Sequence, residues 1–129
     1  MGDNRNADVL RLIISYCNEI SEAIQRFGED YSVFTRDSVY KNATALCVLQ
    51  IGELTTRLTD DFKQTYTGMP WTQIKALRNV VAHNYGKIDD ESLWETITSD
   101  IPKLKDYCSE IIQQLDIQMQ ERTNEPEDE

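Results

Sequence analysis

What this chain lacks narrows its chemistry early. It has one histidine, three cysteines and no CxxC pair in 129 residues. With no HExxH pattern and no clustered carboxylates around that histidine, a zinc or other metal site is not expected. Cys17, Cys47 and Cys108 lie about thirty or more residues apart, and their odd number leaves one unpaired in any disulfide scheme. They read as small core residues of a reducing compartment. There is no glycine-rich phosphate loop, so no nucleotide cofactor is implied. No apolar run approaches the roughly 18 residues that a membrane span needs. The opening MGDNRNAD has no apolar stretch of a secretory leader, and Asn6 stands where a myristoylation signal wants Ser or Thr. These shortages point to a soluble, cytoplasmic protein without a cofactor.

Positive charge is also scarce, with 13 Lys and Arg against 23 Asp and Glu, a formal net charge of -10. Loose binding to nucleic acid needs an excess of Lys and Arg, so the overall balance argues against it. The balance is uneven, however. Residues 57–87 carry Arg57, Lys63, Lys75, Arg78 and Lys87 against Asp60 and Asp61, five minus two or +3, which leaves -13 for the rest. Chance clustering on solvated helix faces would account for such a segment about as well as a functional basic patch.

What is abundant is helical periodicity. Val9, Leu10, Ile13, Ile14, Cys17, Ile20, Ile24 and Phe27 recur at three- and four-residue steps and end at Gly28, a stop signal. A second stripe runs from about Asp37 to about Lys63 through Tyr40, Ala43, Leu46, Cys47, Ile51, Leu54, Leu58 and Phe62, with Gly52 inside it as a place for a close helix crossing. TGMP breaks the pattern, and Pro70 suits the first turn of a third helix with Trp71, Ile74, Leu77 and Val81 inward and Gly86 as a left-handed cap. After Asp89 and Asp90, good N-caps, a fourth stripe runs from Leu93 to Leu115 and stays in phase across Pro102, which predicts a kinked helix rather than a new one. Four amphipathic segments joined by short breaks predict an all-α, antiparallel, up-and-down four-helix bundle over residues 1–122. Residues 123–129, TNEPEDE, are acidic and lack apolar side chains, and read as a disordered tail.

The stretch RNVVAHNYG, residues 78–86, holds the single histidine, with an arginine five positions before it and a tyrosine two after. Five residues of α-helix rise about 7.5 Å and turn about 140°, so Arg78 and His83 do not stack on one face. His83 falls where the third helix should end, and an imidazolium is favoured at a helix C-terminus. Both heads could line one cleft there, and Tyr85 could point with His83 if the chain has become extended. A capping histidine, a surface arginine and a half-buried tyrosine would account for the same residues. A Cys–His nucleophile pair is a weak reading, because no cysteine is near His83 in the chain.

The stretch QIGELTTRLTDDF…GMPWTQIKALRNVVAHNYGKIDDESLWETITSDIPKL, residues 50–104, resembles the HepT-like HEPN ribonuclease toxins of MntA/HepT toxin–antitoxin systems. The mark of that family is R-x-x-x-x-H-x-Y with a polar residue often after the arginine, met here by Arg78, Asn79, His83 and Tyr85. Gly52 and Glu53, the Pro70–Trp71 pair and the LWETITSDIP run follow the family's layout as well. The resemblance implies a HEPN-like bundle that forms a two-fold homodimer and cleaves RNA without a metal. It implies Arg78 and His83 as the catalytic pair and Asn79 as a supporting group. It also implies a nucleotidyltransferase antitoxin, MntA-like, that silences the toxin by AMPylation of Tyr85. The alternative is a non-catalytic helical partner that holds substrate for a nucleotidyltransferase, which the acidic composition suits better.

The residue chemistry agrees with the first reading. Metal-free RNA cleavage needs a base for the 2′-OH, an acid for the leaving 5′-oxygen and a cation for the charged phosphorane. His83 can be base or acid near neutral pH, and Arg78 stays charged with a fork of donors for phosphate oxygens. One histidine is poorly placed for both proton transfers of an in-line displacement, and a symmetric dimer supplies two.

Overall fold

The computed structural model describes residues 2–74 and 89–124. The described residues are all-α, with no strand among them. Helix α1 is Gly2–Phe27. Gly28 ends it at φ 102°, a left-handed conformation that glycine takes without a Cβ penalty, and its N–H donates to the Ile24 carbonyl. The expected stop is therefore a left-handed glycine cap.

A short helix that the periodicity does not predict follows, α2, Tyr31–Arg36. Asp30 caps it by accepting from the Ser32 N–H and hydroxyl. Asp37 then caps α3, Ser38–Thr55, in the same way through Val39 and Tyr40. Such caps each contribute about 1 kcal/mol.

The stripe read as one helix from about 37 to 63 is two helices. Thr55 and Thr56 turn their hydroxyls onto the carbonyls of Gly52 and Glu53, and α3 stops there. Thr59 then caps α4, Asp60–Thr65. What sets the break is remote: the Asn6 side chain accepts from the Thr59 N–H at 3.0 Å and donates to its Oγ1 at 3.1 Å. Asn6 is buried. Asn6→Ala is expected to lower stability by about 1–3 kcal/mol, because the Thr59 N–H loses its partner. Urea unfolding should show this as a lower midpoint at unchanged slope.

Two residues expected inward on that stripe, Ala43 and Leu46, face solvent. Their place is taken by Thr44, fully buried because its hydroxyl bonds the Tyr40 carbonyl of its own helix at 3.0 Å. Pairing its hydroxyl locally lets a polar residue sit in the core.

After Asp89 come α5, Asp90–Glu95, a π turn, Thr96–Asp100, and α6, Ile101–Asn124. The chain stays helical across Pro102, as the in-phase stripe predicts. The wider turn lies just ahead of the proline, and the Ile101 N–H reaches back five residues to the Thr96 carbonyl. A π turn is one of the recognised ways in which a helix absorbs such an irregularity.

Directions follow from the contacts. Asn6 meets Thr59 and Arg11 meets Asp116, while at the opposite end Phe27 stacks on Tyr40 at 4.9 Å. Helix α1 therefore runs antiparallel to both α3 and α6. Leu10, Ile13, Cys17, Ile20, Val48, Ile51, Ile97, Leu104 and Cys108 fill the space between them. Phe34, Tyr40 and Trp94 close one end, with ring centroids 5.0–6.2 Å apart.

Candidate active site

The four predicted site residues, Arg78, Asn79, His83 and Tyr85, lie outside the described residues, as do Leu77, Val81 and Gly86. The structure shows how the chain is held on either side of them. Upstream, a helix opens at residues 71–74, with the Gln73 and Ile74 N–H groups donating to the Pro70 carbonyl. Pro70 has no N–H of its own to lose at that position. Trp71 and Ile74 are buried, as their spacing predicts. The Trp71 indole N–H donates to the Tyr66 carbonyl at 2.7 Å, and its ring lies between Phe62 at 5.9 Å and Tyr107 at 6.1 Å. The Tyr107 hydroxyl accepts from the Gly68 N–H at 3.0 Å. A Cβ on residue 68 would stand 2.7 Å from that ring, so glycine is what lets the break pack against α6.

Downstream, Asp89 accepts from the Ser92 hydroxyl at 2.8 Å and from the Glu91 and Ser92 N–H groups. The Ser92 bonds, hydroxyl first, hold its carboxyl below the usual 3.8. A lowered carboxyl favours the folded state above its ordinary pKa, and this cap loses that contribution only as pH falls below about 4. Asp90 pairs with Lys41 of α3 at 3.6 Å. Both flanks of the segment 75–88 are therefore tied to the bundle by caps, rings and buried side chains.

The cysteines supply no nucleophile. All three are free and buried, and burial pushes each thiol up to about 12. Burial and a raised thiol pKa make each a poor nucleophile at neutral pH, which counts against the Cys–His pair. Among the described residues no group of three His, Cys, Asp or Glu side chains could hold a metal ion, and no helix is long and apolar enough to cross a membrane.

The class of protein is thus an all-α bundle whose helices hold an Arg–His–Tyr segment at both ends. The family model "Ribonuclease HepT-like" matches residues 13–111, well over half the chain and all of that segment. The chain belongs to the HepT-like HEPN ribonuclease family. It is 31% identical over 99 residues to a protein of Thermococcus cleftensis named as a probable ribonuclease HepT, covering 70% of this chain and 86% of that one. It is 29% identical over 104 residues to a protein of Caldanaerobacter subterraneus subsp. tengcongensis named as a candidate RNase, covering 81% and 91%. A Methanocaldococcus jannaschii protein named in the same way is 29% identical over 93 residues, covering 72% and 84%. No solved structure gives a significant match.

Proposed function

We propose that this protein is a metal-independent endoribonuclease, the toxin of a toxin–antitoxin pair, acting as a homodimer in the cytoplasm. The observation that carries the reading is the Arg78–His83–Tyr85 spacing inside a span that matches the HepT-like ribonucleases. In the proposed reaction one His83 takes the proton of the 2′-OH. That oxygen attacks phosphorus as the bond to the 5′-oxygen breaks, and the partner subunit's His83 returns a proton to the leaving oxygen. The products are a 2′,3′-cyclic phosphate and a free 5′-OH. Arg78 from each subunit pairs with the charge that builds on the phosphorane oxygens, and Asn79 supports the pair. The test is cleavage of a mixed RNA by the purified chain with and without EDTA. Equal rates are expected, and a rate that EDTA abolishes rejects the metal-free mechanism.

Tyr85 is proposed as the control point, AMPylated by a nucleotidyltransferase antitoxin. The phenol oxygen attacks the α-phosphorus of ATP and pyrophosphate leaves. The added phosphodiester sits two residues from His83, where it blocks substrate phosphate by charge and volume. Co-expression with such an antitoxin is expected to raise the intact mass by one or more adenylate units, and Tyr85→Phe should abolish the shift. An unchanged mass in the parent protein, or a persisting shift in Tyr85→Phe, removes the assignment.

The net charge of -10 favours a second reading, a non-catalytic partner that holds substrate for a nucleotidyltransferase. Expression of the chain alone in a bacterial host separates the two. Arrested growth supports the toxin, and normal growth with soluble protein supports the partner.

A further inference from the structure

A groove of about 610 Å³ runs between the 67–70 break and α6. Met69, Pro70 and Ile74 line one side of it. Opposite them α6 and the end of the π turn present Asp100, Lys103, Asp106 and Glu110. Three carboxylates against one ammonium leave this wall net negative. None of the four makes an ion pair among the described residues, although Lys103 is three residues from both Asp100 and Asp106. These carboxylates favour a cationic occupant.

Their spacing says what kind. Six residues of helix rise about 9 Å and four about 6 Å, so Asp100, Asp106 and Glu110 spread over roughly 15 Å. One metal ion draws its oxygen ligands to about 2.0–2.6 Å and cannot gather all three carboxylates over that span, and among the described residues no group of three such side chains could hold one. RNA is repelled, because its phosphates need Lys and Arg. A simple polyamine matches the charge but gives nothing specific to the apolar side. An extended peptide advances about 6.6 Å every second residue and points alternate side chains to opposite sides. It can set cations against one wall and apolar groups against the other.

We propose that this groove docks a basic, amphipathic segment of another protein, with its Arg or Lys side chains on Asp106 and Glu110 and its apolar side chains on Met69, Pro70 and Ile74. The proposal does not depend on the ribonuclease reading. Charge complementarity supplies rate and register, and the apolar wall supplies the part that salt does not screen. Ile74 is also the last described residue before the segment that carries Arg78, so an occupant touches the chain immediately ahead of it.

The test uses the full chain and a fluorescein-labelled hexapeptide of alternating arginine and leucine, followed by anisotropy. Binding is expected, weakening as salt rises. Asp106→Asn combined with Glu110→Gln should weaken it at least about fivefold, the scale of two partly exposed charge pairs. Both side chains are exposed, so the double variant should fold, which far-UV circular dichroism checks. An arginine–serine hexapeptide should bind several-fold less well. The proposal is overturned by equal binding to the double variant, by equal binding of the arginine–serine peptide, or by no binding at all. Displacement of the peptide by spermidine at equal concentration would reassign the groove to small polycations. A shift in oligomeric state caused by the double variant would reassign it to a second copy of this chain.

Discussion

His83→Ala and Arg78→Ala are each expected to cut RNA cleavage by about a hundredfold or more, with helical content and thermal stability close to the parent. A positioned acid–base group contributes about 10²–10⁴ in rate, and one preorganised donor to a developing oxyanion about 10²–10³. If the dimer needs one His83 for each proton transfer, a mixed dimer carrying a single His83→Ala subunit should keep well under half the activity of the parent. Rates come from a fluorogenic RNA, with circular dichroism as the folding control. Parent-like cleavage by the His83→Ala protein would end the proposed mechanism. Loss in Arg78→Ala alone would leave phosphate binding but not proton transfer as the role of the motif. A chain that stays monomeric at every concentration would remove the two-histidine arrangement.

Phe34→Ala is expected to be the most damaging single truncation for stability. Phe34 is fully buried, packs edge-on against Tyr40 at 5.0 Å and lies 5.0 Å from Trp94. It joins α2 to the start of α3 and to the last turn of α5, while Tyr40 holds the α1 end through its hydroxyl on the Gly28 carbonyl at 3.0 Å. Removing such a ring from a closed core costs about 3–5 kcal/mol in lost transfer energy and cavity. For a domain of this size the melting temperature should fall by roughly 10 °C or more. A loss under 1 kcal/mol would mean that this end of the bundle is loosely packed. The outward Leu46→Ala gives the contrast, with a change within about 0.5 kcal/mol.

The contrast between Phe34 and Leu46 also marks how far a one-dimensional reading reaches. Helix α1 was legible because its stripe is long, regular and closed by a glycine that takes the positive φ it is suited to. Asp89 was legible as a cap because an Asp before an apolar stripe satisfies free N–H groups locally. The α3–α4 break was not legible, because Leu54, Leu58 and Phe62 stay at four-residue steps and are all buried on either side of it. The periodicity is blind to a turn that preserves phase. Helix α2 was missed because six residues are too few for a stripe, although Asp30 carries the same signal as Asp89. Thr44 is absent from the apolar stripe, since periodicity cannot see a hydroxyl paired inside its own turn.

The Arg–His–Tyr segment was readable as residues and spacing, and its chemistry was argued from the properties of imidazole, guanidinium and phenol. The groove had a faint trace, with Asp100, Lys103, Asp106 and Glu110 recurring at three- and four-residue steps. That pattern is common on any solvated helix face, and it becomes informative only opposite Met69, Pro70 and Ile74.

Local chemistry, written residue by residue, determined the helical class, the caps, the buried thiols and the motif that joins this chain to the HepT-like ribonucleases. Those properties depend on groups within one or two turns of each other. The tertiary structure decided where α3 stops, which face of α3 is buried and what stands across from the α6 carboxylates. Each depends on groups brought together from distant parts of the chain, as Asn6 is to Thr59, and the spacing of side chains along a sequence carries no record of such a meeting.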